Sequence, residues 1–106
     1  MMANQQTFPK SLTQFISILK AYMPELRKRY AVQSLGIFGS YLRNEQEQDS
    51  DLDILVELDN SSMSLVGYIE LENFLSDMLG VKVDLAEQTA LKPQIGQHIL
   101  NHIVYI

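Results

Sequence analysis

The stretch LGIFGSYLRNEQEQDSDLDILVEL, residues 35–58, decides how this chain is read. It joins two apolar runs through a polar connection. Val32 to Phe38 is rich in apolar residues and stops at Gly39, which predicts a strand. Leu52, Ile54, Val56 and Leu58 alternate with Asp51, Asp53, Leu55 and Glu57, the period of a second, half-buried strand. Between them, Ser40 to about Asn44 suits a short helix, and Glu45 to Ser50 is wholly polar and reads as a solvent loop. Side chains two apart on a strand point the same way, so Asp51 and Asp53 share a face while Leu52 and Ile54 are buried behind them.

Upstream, Leu12, Phe15, Ile16, Leu19, Met23 and Leu26 recur at spacings of three and four, one apolar stripe on a helix with Ser11 as its N-cap. Pro24 is expected to end or kink that helix, with a short second turn carrying on to about Tyr30. Downstream, Asp59 to Ser62 is turn chemistry. A helix from about Ser64 then carries Tyr68, Leu71, Leu75 and Met78 on one side and stops at Gly80. Val81, Val83 and Leu85 form a third strand, with Lys82 and Asp84 on its other face. Pro93 suits the first turn of a last helix whose Ile95, Ile99 and Ile103 face the core. The expected fold class is α/β (α+β): a small mixed β-sheet flanked by helices, with residues 1–106 forming a single domain.

Composition bounds the function. Hydrophobic residues make up 46% and charged residues 20% of 106 residues, which is ordinary for one globular domain. Cysteine is absent, which excludes disulfides and thiolate metal sites. No apolar run approaches the roughly 20 residues that span a bilayer, and the N-terminus lacks the apolar core of a secretory signal, so a cytoplasmic protein without membrane contact is expected. Eight basic against thirteen acidic side chains leave a net charge of -5, which repels free nucleic acid. The one basic cluster, Arg27-Lys28-Arg29, sits at a helix end, where it complements the helix dipole.

The polar face of the strands carries the chemistry. If the second and third strands are neighbours, about 4.8 Å apart, Asp51, Asp53 and Asp84 converge on one patch. Three unpaired carboxylates together repel one another, and a divalent cation removes that penalty. Magnesium prefers oxygen ligands, typically one or two carboxylates plus substrate phosphates. Gly39 stands where a strand turns into a helix and, lacking a Cβ, admits a phosphate close to the backbone. Ser40 adds a hydroxyl at a helix N-terminus, where amides and the dipole favour an anion. A triphosphate would lie between that turn and the metal ions.

Gly39-Ser40, ten intervening residues and then Asp51-Leu52-Asp53 match the G-S-x10-D-x-D signature of the nucleotidyltransferase superfamily related to DNA polymerase β. The wider string resembles the minimal nucleotidyltransferases, or MNT proteins. Arg43 and Ser50 fall where that family commonly has Arg and Ser, whereas Asn44 replaces a frequent Gly and Gln48 a frequent Pro. The resemblance implies a nucleotidyltransferase-like fold. It implies that Gly39, Ser40 and Arg43 bind the triphosphate of ATP, that Asp51 and Asp53 hold Mg²⁺, and that Asp84 assists one ion and orients or deprotonates the attacking hydroxyl. It further implies transfer of AMP to a tyrosine of a HEPN-type ribonuclease toxin, with the protein acting as its antitoxin in a hetero-oligomer. A chain this short leaves no room for the extra helical domain that other superfamily members use to hold RNA or antibiotics, and an acidic surface suits a basic RNA-cutting partner.

Simpler readings stand beside these. Asp-x-Asp on its own is most often a strand start facing water, and Asp84 on its own a solvent-facing strand residue. Arg43 equally suits a salt bridge across the polar loop. His98 and His102 stand four apart on the last helix without a third ligand, which makes them solvated helix residues rather than a metal pair. Tyr22, Tyr30 and Tyr68 suit core or interface packing. The second functional reading is an MNT fold that neutralises its partner by binding and masking it, without catalysis; transfer to a small molecule such as an aminoglycoside is a third.

Overall fold

The computed structural model describes residues 12–39, 51–59, 64–87, 94, 99 and 102–106. Two long helices and four strands follow in the order α1 (Leu12–Tyr30), β1 (Val32–Phe38), β2 (Leu52–Leu58), α2 (Leu65–Leu79), β3 (Val83–Glu87) and β4 (Val104–Tyr105). The strands form one mixed sheet in the order β3-β2-β1-β4. Strands β1 and β2 are antiparallel, β2 and β3 parallel, and β4 runs antiparallel along the outer edge of β1.

Helix α1 buries Phe15, Leu19, Met23, Leu26 and Tyr30. Pro24 does not end it: the helix continues to Tyr30 with Pro24 inside and exposed. A proline in a helix interior costs about 3 kcal/mol. Burying Met23, Leu26 and Tyr30 on the continuing stripe contributes about 1.5–3 kcal/mol per large apolar side chain, which offsets that cost. The capping residue Ser11 lies outside the described residues, as do Ser40–Asn44, Glu45–Ser50 and Pro93.

Helix α2 follows the expected signals. The Ser64 side chain accepts a hydrogen bond from the Gly67 amide at 3.1 Å, the N-cap geometry that small hydroxyl residues provide. At its other end Gly80 adopts a left-handed conformation, φ 75°, and its amide donates to Ser76 O at 2.9 Å. Its buried stripe is Leu71, Leu75 and Leu79, so Tyr68 and Met78 lie at the flanks rather than at the centre. Strand β3 starts at Val83, two residues later than the apolar pattern suggested.

Both helices pack their stripes on one face of the sheet, against Leu35, Ile37, Leu52, Ile54, Val56, Val83 and Leu85. The opposite face is not wholly polar. Leu55, grouped by alternation with Asp51, Asp53 and Glu57, is buried at 2% exposure. Gly36 beside it is buried too, and a Cβ there would collide with the Ile103 side chain. The C-terminal segment thus covers part of the second face. This corrects two expectations. Ile103 directly precedes β4 instead of lying on the last helix, and His102 sits at a bend, its amide donating to Ile99 O at 2.9 Å. A two-residue strand such as β4 has no periodicity from which a sequence reading could find it.

Between α1 and β1 the chain turns at Ala31, which holds φ 58°, a left-handed conformation that Cβ disfavours. The turn is fixed by Ala31 N–H donating to Arg27 O at 3.1 Å and Asp59 N–H donating to Ala31 O at 2.7 Å. Ala31→Gly should therefore raise the unfolding free energy by up to about 1 kcal/mol. Urea denaturation checks this, and an unchanged or lower midpoint would contradict the strain.

Candidate active site

Strand pairing builds the site. In the parallel ladder Asp53 of β2 stands directly opposite Asp84 of β3. Directly opposed residues point to the same side of a sheet, so these two carboxylates are neighbours. Asp51 lies just before β2 on the same side; the adjacent Leu52 amide donates to Lys82 O at 2.8 Å, tying the start of β2 to the approach of β3. Asp51 and Asp53 are half-buried and Asp84 is exposed. Phe38 pairs with Asp53 from the other side, so β1 delivers Gly39 to the same corner.

Gly39 fits this corner for a steric reason. Its φ is +85°, and a Cβ there would fall on the Asp53 carboxylate. The backbone of Gly39 therefore lies against that carboxylate, an approach that only a residue without a Cβ allows. Ser40 and Arg43 lie outside the described residues. Among the described residues no three acidic or histidine side chains come close enough together to form a ready-made metal cage. The donor set nonetheless suits a hard cation: paired carboxylates on one sheet face leave coordination positions for phosphate oxygens, as magnesium requires.

The basic end of α1 is occupied otherwise. The Arg29 guanidinium lies 5.4 Å from the Tyr30 ring centre and 5.2 Å from that of Phe74, a cation–π arrangement. Phe74 also packs at 5.8 Å from Tyr30 and edge-on at 6.5 Å from Tyr22. Arg29 additionally reaches Glu25 at 3.9 Å, an exposed pair that contributes little. Among the described residues no helix is long and apolar enough to cross a membrane.

A nucleotidyltransferase-domain family profile matches residues 17–106 of this fold, which contain the Gly39 corner and all three aspartates. The chain belongs to the nucleotidyltransferase-domain family. Among this nucleotidyltransferase's relatives, the protein adenylyltransferase MntA of Thermococcus cleftensis is 44% identical over 96 residues, 91% of this chain and 96% of the relative. A candidate protein adenylyltransferase of Methanocaldococcus jannaschii is 43% identical over 98 residues, 92% and 99% of the two chains. A solved structure described as a candidate minimal nucleotidyltransferase superposes with a TM-score of 0.75 at 28% identity, covering 90% of this chain and 95% of that one. The MNT antitoxin complex with a tri-AMPylated Shewanella oneidensis HEPN toxin includes a chain of the same fold, TM-score 0.62 at 21% identity, covering 86% and 70%.

Sequence reasoning missed the side chains of α2 that hold β3. Tyr68, Glu72 and Ser76 stand four apart, hence on one helix face. The Tyr68 hydroxyl donates to Leu85 O, the Leu85 amide donates to Glu72 Oε2 at 2.9 Å, and the Val83 amide donates to Ser76 Oγ at 2.9 Å. Ser76 Oγ in turn donates to Glu72 O at 2.9 Å. The available signal was a polar stripe one position behind the apolar Leu71, Leu75 and Leu79.

Burial pushes the Tyr68 hydroxyl up to about 12 from an ordinary value of 10.0, helped by the negative charges of Glu72, Glu87 and Asp84. The neutral phenol is the favoured form, so its contribution to stability is intact below pH 10 and is lost as pH rises through about 12. In a tyrosinate absorbance titration, subtracting the curve of Tyr68→Phe from that of the wild type should leave one transition near pH 12; a transition near pH 10 would contradict the burial.

At Gly39, Ala substitution should cost about 1–2 kcal/mol of stability and, by displacing the Asp53 carboxylate, cut nucleotidyl transfer about a hundredfold. Thermal melts and transfer assays on Gly39→Ala test both, and undiminished transfer would show that the close approach has no role.

Proposed function

We propose that this chain acts as one minimal nucleotidyltransferase domain that transfers AMP from ATP to a tyrosine hydroxyl of a HEPN-type toxin and thereby serves as its antitoxin. The observation that carries the reading is the pairing of Asp53 with Asp84 beside the Gly39 backbone. The similarity to the T. cleftensis protein adenylyltransferase, over nearly the full length of both chains, supports a protein acceptor. Cytoplasmic location follows from the substrate.

Gly39 and Ser40, with Arg43, would bind the triphosphate. Asp51 and Asp53 would hold Mg²⁺, with Asp84 assisting one ion. Magnesium, when bound, neutralises charge on the attacking and leaving oxygens of an in-line displacement. Asp84, exposed at the edge of the patch, would orient the incoming hydroxyl or take its proton. A bond forms between that oxygen and the α-phosphorus, the bond to the β-phosphate oxygen breaks, and pyrophosphate leaves. Leu55 behind Asp53 and Leu85 beside Asp84 are buried, which holds the carboxylate-bearing strands in place.

Neutralisation by masking alone is the competing reading, and one experiment separates the two. Incubation of the protein with Mg²⁺, ATP and its cognate toxin should add AMP masses to the toxin in intact-protein mass spectrometry. Asp51→Asn with Asp53→Asn should abolish that gain and restore toxin activity. Neutralisation that survives the double substitution would establish masking.

A further inference from the structure

Strand β3 is an edge strand, and an edge leaves every second residue with backbone groups directed away from its neighbour. On β3 three of these outward groups are held by side chains of α2. Val83 N–H is bound by Ser76, Leu85 N–H by Glu72 and Leu85 C=O by Tyr68. Val83 and Leu85 are the residues on either side of Asp84. The three α2 side chains therefore grip the backbone immediately before and after the aspartate, from the side opposite β2. On that other side, Asp84 is in register with Asp53.

Edge strands slip or fray when they are held from one side only. A slip of one residue would turn Asp84 into the core and bring Val83 or Leu85 to the polar face, which removes the carboxylate from the patch. The α2 stripe makes that slip cost three hydrogen bonds together with the burial of Val83 and Leu85. A generic edge cover would need no such focus. Here the three bonds span a single residue, and that residue is the carboxylate on the outermost strand.

We propose that Glu72, Ser76 and Tyr68 are positioning residues for Asp84: through hydrogen bonds to the backbone of Val83 and Leu85, they fix its carboxylate beside Asp53 for divalent-metal binding. The inference rests on the metal-dependent reading of the site. Glu72 acts on Asp84 through the backbone, its Oε2 accepting from the Leu85 amide at 2.9 Å. A residue that merely covered the edge would affect stability and leave metal affinity alone.

The test compares substitutions that keep the acceptor with those that remove it. Glu72→Gln and Ser76→Thr retain an oxygen for the amides of Leu85 and Val83, whereas Glu72→Ala and Ser76→Ala do not. Tyr68→Phe removes only the hydroxyl that holds Leu85 C=O. Asp77→Ala, on the exposed side of α2, controls for loss of negative charge. Two readouts are taken on the full chain: backbone amide exchange at Val83 and Leu85 without metal, and affinity for Mn²⁺ in the presence of a non-hydrolysable ATP analogue.

The alanine variants should speed exchange at their own amide and weaken Mn²⁺ binding about tenfold or more, the usual effect of losing a partner that orients a metal ligand. Tyr68→Phe should weaken Mn²⁺ in the same direction, and Glu72→Gln, Ser76→Thr and Asp77→Ala should match the wild type. Unchanged Mn²⁺ affinity in the alanine variants, beside clear binding by the wild type, overturns the positioning role alone. Equal losses in Glu72→Gln and Glu72→Ala also overturn it, because charge would then be the cause. Absence of Mn²⁺ binding by the wild type overturns the metal-site reading, and the positioning role with it. If an alanine variant fails to fold, Tyr68→Phe, which keeps the ring in place, decides the question.

Discussion

The parallel ladder between β2 and β3 is the constraint on which the site depends, because it alone sets Asp53 opposite Asp84. Parallel neighbours cannot be joined by a tight turn, so the chain must cross back between them, and α2 is that crossing. Its apolar stripe of Leu71, Leu75 and Leu79 presses on the sheet, and its polar stripe of Tyr68, Glu72 and Ser76 closes the outer edge of β3. One helix thus fixes the packing of the third strand and its register. Gly80, left-handed at the end of that helix, provides the reversal that lets β3 begin at Val83.

The sheet is divided by chemistry as well as by packing. One face carries the main core, with Ile37, Leu52, Ile54 and Val56 fully buried beneath α1 and α2. The other face is apolar where the C-terminal segment crosses it, at Gly36 and Leu55, and acidic at the end where β1 delivers Gly39. Asp84 is exposed there and Asp51 and Asp53 are only half-buried, so water screens the repulsion between these carboxylates. Deeper burial would require neutralisation, and the structure has no buried charged side chain among its described residues.

Much of this was legible because the signals are local. Alternation at residues 52–58 gave the strand, the turn residues before Ser64 and the stop at Gly80 gave the limits of α2, and the apolar stripe of α1 gave its buried side. The misreadings share one cause. Pro24 argued locally for an end or a kink, with a helical turn carrying on to about Tyr30; the helix does reach Tyr30, as one element, because Met23, Leu26 and Tyr30 are buried along its stripe. Leu55 looked like a member of the polar face by parity, but it is buried beside Gly36, over which the side chain of the distant Ile103 lies. His102 fitted a helical spacing and lies instead at the bend before β4.

The amino-acid sequence by itself determined the elements, the glycine stop after β1 and the side of β2 on which Asp51 and Asp53 stand, because backbone periodicity and glycine's missing Cβ act within a few residues. Only the tertiary structure decided that Asp84 lies beside Asp53, that β4 closes the sheet and that α2 side chains hold β3 at its outer edge. Those outcomes depend on which strands become neighbours and in what register. That choice is made by burial summed over the whole core and by hydrogen bonds between distant residues, and no local pattern carries it.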